Sequence, residues 1–298
     1  MAIRSPLTKS ENVKKITALK VSQIIENYKQ DFNLDVSSYF GTTDEVDVYE
    51  CMDTQLRFYY PFGLAGDGVF YDHLSNFKRE YYPKDKWDFA EASKYINRDD
   101  LILDIGCGEG HFLRMISNKT NNCIGLDLSP RAVKLGQEKG LDIRNELIQS
   151  HAEIHSEKYD VVLAFQLFEH IEDIIGMFES ALKAVKKGGK LIISVPNNSS
   201  LIFKLNKYHT LNIPPHHVLL WDEESLKSVA KLFNIKLISL GTEPETKFLK
   251  SEIYKLKLEN WLGKGKVSKF IHDTTRWLIK LFDFNMKNHS IIAIYEKI

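Results

Sequence analysis

Three glycines spaced two apart, Gly106, Gly108 and Gly110, separate the apolar stretch ending at Leu103-Asp104-Ile105 from a helical pattern that begins at His111. A turn of this kind brings backbone close to a ligand, because the missing Cβ atoms leave room. The helix start behind it offers unpaired N–H groups and the positive end of the helix dipole. Two carboxylates flank the turn. Asp104 lies two residues before the first glycine, at the strand's carboxyl end. Asp127 closes the next strand, where a carboxylate reaches a ribose diol. The third glycine arrives one residue too early for the dinucleotide fingerprint G-x-G-x-x-G, which argues against a nicotinamide cofactor.

A second constellation follows the next apolar strand: Phe165-Gln166-Leu167-Phe168-Glu169-His170. Strand ends in a parallel sheet line the ligand crevice, so Gln166, Glu169 and His170 are expected there. A neutral imidazole beside a hydroxyl accepts its proton, so His170 is the first candidate for a general base. The alternative is that the Glu-His pair only orients its loop. Pro214-Pro215-His216-His217-Val218 supplies a competing base, His217 or His216. Prolines favour an extended chain, in which adjacent side chains point to opposite faces, so one histidine is expected toward the pocket and one toward the core. Adjacent histidines rarely share an ion and no acidic spacing accompanies them, so no metal is expected. Upstream, Tyr82 and Trp87 are aromatic candidates for closing over the ligand, with ordinary helix packing as the competing reading.

These residues need strands and helices in alternation to hold them. Leu101–Ile105, Cys123–Leu128, Tyr159–Phe165 and Lys190–Val195 read as strands. Helices are expected at His111–Asn118, from Ser129-Pro130 onward with Ser as N-cap, and at Asp173–Val185 with Gly188-Gly189 as its stop. The order implies a doubly wound, mostly parallel α/β sheet covered on both faces. A long connection over 197–225, a helix from Glu223 and a strand from Ile235 follow. A Lys-rich helical insertion, about 243–287, precedes the last strand at Ser290–Tyr295. In the first 80 residues the pattern predicts a helix over Asn12–Lys29 and strands at Val46–Cys51 and Leu56–Tyr60. The expected division is an N-terminal accessory module, 1–84, and a catalytic domain, 85–298.

Taken in order, residues 101–110, Gly125-Leu126-Asp127-Leu128-Ser129, the Tyr159–His170 stretch and Gly188-Gly189-Lys190-Leu191-Ile192 resemble the successive motifs of class I methyltransferases. The resemblance covers about 85–240. It implies a seven-stranded sheet and S-adenosylmethionine as cofactor, leaving as S-adenosylhomocysteine. It implies that Asp104, Gly106, Cys107, Gly108 and Gly110 face the methionine half and that Asp127 takes the ribose hydroxyls. Leu128 would lie against adenine, with Ser150 and His151 near its edge and Gln166 near the transferred methyl. More weakly, residues 1–90 resemble the zinc-ribbon-like module of sugar and glycan methyltransferases. Ser5-Pro6-Leu7-Thr8 and Cys51-Met52-Asp53-Thr54 stand where two Cys-x-x-Cys knuckles would be, and only Cys51 remains of four thiolates. The expected scaffold has lost its metal. O-methylation of a sugar or glycan intermediate is thus the leading expectation, and O-methylation of a small aromatic or quinone-like metabolite the alternative.

Composition narrows the partners. Lys+Arg and Asp+Glu both number 40, for zero net charge, without the basic excess of a nucleic-acid binder. Three cysteines in 298 residues make no disulfide framework, and no apolar run approaches a membrane span, so a cytoplasmic chain is expected. The Lys-rich stretch 246–282, with Trp261 and Trp277, suits an anionic acceptor or peripheral membrane contact, although such a face is more often simply solvated.

Overall fold

The computed structural model describes residues 2–77, 86–120, 122–263, 265–275 and 289–298. The chain opens with β1 (Val13–Lys20), α1 (Val21–Phe32), β2 (Glu45–Cys51), β3 (Arg57–Tyr60) and α2 (Gly68–Phe77). The helix expected over 12–29 is therefore half strand. Val13–Lys20 pairs antiparallel with β2, and a register shift between Lys15 and Thr17 breaks the period-2 signature that would have revealed it. From Val21 onward the helical reading matches, with Val21, Ile24, Tyr28 and Phe32 buried on one face.

Helix α3 (Trp87–Ser93) leads into β4 (Ile102–Ile105), α4 (His111–Ile116), β5 (Cys123–Leu126), α5 (Pro130–Glu138), β6 (Ile143–Arg144), α6 (Ile148–Ile154), β7 (Tyr159–Phe165) and α7 (Ile174–Ala184). Ser129 caps α5 by accepting from the Ala132 N–H, with Pro130 at the first position, as the sequence led us to expect. Helix α7, capped by Asp173, ends at Ala184, where Val185 is already extended. The chain enters β8 (Val185–Pro196) directly, so Gly188-Gly189 lies inside a strand rather than stopping the helix. Close approach explains Gly189, whose Cβ would sit 2.9 Å from the Asp160 carbonyl oxygen.

The connection 197–225 is not merely a loop. It contains α8 (Leu201–Leu205) and β9 (Leu219–Leu220), and β9 pairs with β3 to complete a four-stranded sheet in the order β1-β2-β3-β9. Ile213 and Leu220 from this connection are buried in the same apolar cluster as Ile24, Tyr28, Tyr59 and Phe70. Then come α9 (Glu223–Leu232), β10 (Ile235–Thr242), the insertion helices α10 (Lys247–Leu262) and α11 (Lys266–Thr275), and β11 (Ser290–Lys297). Leu249 and Ile253 of α10 pack on Ile202 and Phe203 of α8. Lys264, Arg276, Trp277 and Lys280 lie outside the described residues, as does the expected boundary at 84 and 85.

The large sheet runs β10-β11-β8-β7-β4-β5-β6, with β11 antiparallel to both neighbours and the other pairs parallel. This is the seven-stranded, mostly parallel fold expected. Both faces are buried. On β7, Val161, Leu163 and Phe165 join one apolar cluster while Val162 and Ala164 join the other, as period 2 requires. Among the described residues no helix is long and apolar enough to cross a membrane.

Candidate active site

The glycine turn stands at the carboxyl end of β4, the central strand next to which the strand order reverses. Gly106, Gly108 and Gly110 have φ of 69°, 54° and 76°, a region that other residues enter at a cost. At Gly110 a Cβ would also meet Leu141 Cδ1 at 2.4 Å and Ile143 Cδ1 at 2.8 Å. The turn is tied to β5: the N–H groups of Gly106 and Cys107 both donate to the Leu126 carbonyl, at 2.8 and 3.1 Å. Asp127 is fixed from two sides, accepting from the Gly108 N–H at 2.7 Å and the Ser129 N–H at 2.8 Å. A carboxylate held this way keeps acceptor sites for a diol. Asp104 is buried and its Oδ1 has no hydrogen-bond partner. Burial and the neighbouring Asp127 push its carboxyl well above the usual range. Cys107 packs under Gly125. Burial, with Asp104 and Asp127, pushes its thiol up and keeps it from acting as a nucleophile.

Next to Asp127 the surface becomes apolar. Leu128 is 60% exposed and Leu147, just before α6, 51% exposed. Asn145 donates to the Asp127 carbonyl at 2.9 Å, which ties the segment leading to Leu147 to the end of β5. Leu128 directly follows Asp127, so an exposed apolar side chain stands next to that carboxylate. Leu147 and Asn145 were missed in the sequence, because β6 is only two residues long. His151 corrects an expectation. Its ring is fully buried and both nitrogens are engaged, Nδ1 with the Glu146 carboxylate at 3.0 Å and Nε2 with the Tyr159 hydroxyl at 2.6 Å. Such a ring supports α6 and is closed to a ligand. Ser150 is exposed on the same helix.

The aromatic candidates separate as well. Trp87 packs on the edge strand β10, 3.6 Å from where a Gly241 Cβ would be. It also packs against the apolar cluster of Phe89, Ile102 and Phe165, contacts that match the helix-packing reading. Tyr82 lies outside the described residues. What α3 does bring to the site is Asp88, unnoticed in the sequence. Its Oδ2 accepts from the Ser194 hydroxyl at 2.6 Å, and that hydroxyl accepts from Gln166 Nε2 at 3.2 Å. Gln166, at φ 50°, is thereby held at the end of β7.

The segment after β7 folds back over the glycine turn, with Leu167 Cδ2 3.0 Å from where a Gly106 Cβ would be. It sets Glu169 and His170 against the 213–218 segment. Here the two histidines depart from the extended reading. The N–H groups of His216 and His217 both donate to the Ile213 carbonyl, at 3.1 and 3.3 Å. The segment is therefore a turn, and the two rings stack on one side with centroids 4.4 Å apart. The His170 ring lies 4.8 Å from each. His170 Nδ1 is 2.5 Å from the His216 carbonyl oxygen, so Nδ1 carries the proton and Nε2 the lone pair. That Nε2 faces Glu169 Oε1 at 3.8 Å, and His217 Nε2 faces the same oxygen at 3.9 Å. Glu169 is 1% exposed, without a hydrogen-bond partner on either oxygen. Burial pushes its carboxyl up to about 8 and the His170 imidazole down to about 4. At neutral pH both groups are uncharged. His217, buried beside His216 and His170, is also pushed well below its ordinary value.

Tyr71 completes the cluster from the N-terminal region. Its hydroxyl is 3.0 Å from His170 Nδ1 and donates to the His216 carbonyl at 3.3 Å. Nothing in the spacing of residues 71, 170 and 216 revealed that meeting. His170 keeps 14% side-chain exposure against 7% for His217, which makes it the more accessible imidazole of the two.

A family model described as a methyltransferase domain matches residues 76–240, more than half of the chain. Among curated proteins, the chain is 31% identical over 104 residues to a ubiquinone biosynthesis O-methyltransferase of Hydrogenovibrio crunogenus, covering 33% of this chain and 43% of that protein. It is 28% identical over 162 residues to the protein of the same description from Aliivibrio fischeri, covering 52% of this chain and 60% of that one. The matches thus span less than two thirds of either relative. A solved structure described as a SAM-dependent methyltransferase from Archaeoglobus fulgidus shares the fold with a TM-score of 0.52 at 18% identity, covering 78% of this chain and all of that one. With the glycine turn, the fixed Asp127 and the strand order, the match over 76–240 identifies the chain as a member of the methyltransferase-domain family.

Proposed function

We propose that this protein transfers a methyl group from S-adenosylmethionine to a hydroxyl of a small aromatic, quinol-like acceptor. The residues present fit that cofactor. Asp127 suits its ribose diol, Leu128 its adenine, and the glycine turn with the unpartnered, buried Asp104 its charged methionine end. When bound, the cofactor supplies an electrophilic methyl on a sulfonium. The chain's own residues then receive the acceptor's proton. The observation that carries the assignment is the 2.5 Å contact from His170 Nδ1 to the His216 carbonyl. It fixes the tautomer, so that Nε2 is the proton acceptor, in a loop that lies over the glycine turn. Burial keeps that imidazole neutral, and general-base action of this type contributes about 10²–10⁴ in rate.

The choice of acceptor rests on the relatives named for ubiquinone biosynthesis and on the aromatic surroundings of the histidine cluster, with Tyr71 of α2 beside His170 and Phe70 beside His216. A sugar hydroxyl is the second reading. It is favoured by the convergence of Ser5, Thr8 and Thr54 on Cys51, the four knuckle positions of the glycan-type module. One experiment tests both: incubation with labelled S-adenosylmethionine and panels of catechols, quinols and nucleotide sugars, read by mass shift. A gain of one methyl on phenolic acceptors alone is expected. Turnover confined to sugars would replace the acceptor, and absence of S-adenosylhomocysteine binding would remove the reading altogether.

A further inference from the structure

The histidine cluster has a property that a lone general base does not need. One ring nitrogen from each of His170, His216 and His217 lies within 4.8 Å of the other two. In all three rings Nδ1 is turned outward to an oxygen. His170 Nδ1 donates to the His216 carbonyl at 2.5 Å, His216 Nδ1 to the Leu211 carbonyl at 3.0 Å, and His217 Nδ1 to Asn212 Oδ1 at 3.2 Å. The Asn212 amide is oriented by donating its own Nδ2 to Asn198 Oδ1 at 2.8 Å, so Oδ1 is the atom that faces the ring. Outward Nδ1–H bonds to oxygen are the supports that orient metal-bound imidazoles and leave Nε2 as the ligand atom. A carboxyl group, which an ion would bind in its deprotonated form, is at hand. The Glu169 carboxyl is fully buried, unpartnered, and within 3.8 and 3.9 Å of Nε2 of His170 and His217.

We infer that His170, His216 and His217, with Glu169, form a binding site for one divalent transition-metal ion of the type imidazole favours, such as zinc or cobalt. Ligands 2.0–2.1 Å from a tetrahedral ion lie about 3.3 Å apart, so each nitrogen must move inward by less than ~1 Å. The sequence expectation of no metal rested on adjacent histidines rarely sharing an ion and on the lack of acidic spacing; the turn over 213–217 puts both rings on one side, and the carboxyl comes from a separate segment at Glu169. Its role rests on the proposed methyl transfer: the ion would take the acceptor's oxygen as a fifth ligand and hold it deprotonated, the proton leaving to solvent. Ion binding itself does not depend on that activity. In the loaded protein His170 Nε2 is a ligand, whereas in the metal-free protein it is the base.

The test uses tag-free full-length protein, stripped with chelator and titrated with Co²⁺ while visible absorption is recorded. The site predicts a spectrum of a four- or five-coordinate ion that saturates at one Co²⁺ per chain and is displaced by Zn²⁺. His217→Ala and, separately, Glu169→Gln should weaken binding at least tenfold while both variants retain S-adenosylhomocysteine binding, which reports an intact fold. No saturable spectrum, or one that survives both substitutions unchanged, overturns the site. Methyl transfer and S-adenosylhomocysteine binding by the metal-free protein are measured in parallel, so a failure of the methyltransferase reading is seen independently of the ion.

Discussion

At the scale of single residues, the buried carboxyl of Asp104 sets function against stability. Its folded-state pKa is raised well above the ordinary value of 3.8 by burial and by Asp127. The charged form is therefore disfavoured in the folded chain. Stability is lost as pH rises from the unfolded value through the folded one. Asp104→Asn removes the charge and keeps the shape. We expect it to raise the thermal midpoint at pH 8, to change it little below pH 4, and to weaken S-adenosylhomocysteine binding at least tenfold by calorimetry. A lower midpoint at pH 8 would mean that Asp104 is a structural group. Tyr71 makes a complementary case. It reaches His170 Nδ1 and the His216 carbonyl with one hydroxyl. Tyr71→Phe should lower kcat about tenfold and leave cofactor affinity within a factor of two, because the ring that it orients is not part of the cofactor pocket. Asp104 and Asp127 were legible in the sequence because strand ends are places with a fixed meaning. Tyr71 was not, since it comes from α2 and meets its partners only in the folded chain.

At the scale of elements, legibility followed periodicity. Strand β7 alternates cleanly between two buried faces, and Ser129-Pro130 carries its own capping chemistry, so both were readable. Strand β1 was not. Among the described residues it has β2 as its only partner in the sheet order, bulges at Lys15–Thr17, and exposes Lys14, Lys15 and Ile16 in succession, which leaves no period to detect. Strand β9, two residues long, has no sequence signature at all. The turn over 213–217 was misread because proline content suggests extension, while a single carbonyl, that of Ile213, accepts from two successive histidine N–H groups. Ser5, Thr8, Cys51 and Thr54, which the sequence paired by spacing alone, meet in the fold. Burial raises the Cys51 thiol, yet hydrogen bonds from Ser5, Thr54 and Thr8 outweigh it and leave the thiol below its ordinary value. Three hydroxyls thus gather around the one thiol. Combining Ser5→Cys, Thr8→Cys and Thr54→Cys should create a tetrathiolate site. By elemental analysis the triple variant should hold one Zn²⁺ more than the parent, with a higher thermal midpoint. Equal metal content would show that the two turns are not spaced as a zinc site.

At the scale of the whole molecule, the small sheet is completed by a strand from the large sheet's own stretch of chain. Strand β9 leaves the large sheet's connection to close the small sheet, and the links across the seam are short. Tyr59 N–H donates to the Val218 carbonyl at 3.1 Å, and Val218 N–H donates to the Glu169 carbonyl at 2.9 Å. Arg57 Nη2 donates to the Asn198 carbonyl at 2.9 Å, and Tyr28 and Tyr59 donate to carbonyls of the 210–213 segment. The histidine cluster sits within this seam, since His216 and His217 belong to the same connection and Tyr71 to the small-sheet side. A site assembled from both parts is lost when either comes loose, so the two should unfold together. Leu220, 5% exposed in β9, tests the coupling, because its side chain fills the small-sheet core while its backbone pairs with Arg57 of β3. Leu220→Ala should destabilise the chain by about 2–5 kcal/mol. In urea, tyrosine and tryptophan fluorescence and far-UV circular dichroism should move together to a lower midpoint. Separate transitions, with the small sheet melting first and S-adenosylhomocysteine binding persisting after it, would show that the cofactor half stands alone and that the seam carries only the acceptor's side of the chemistry.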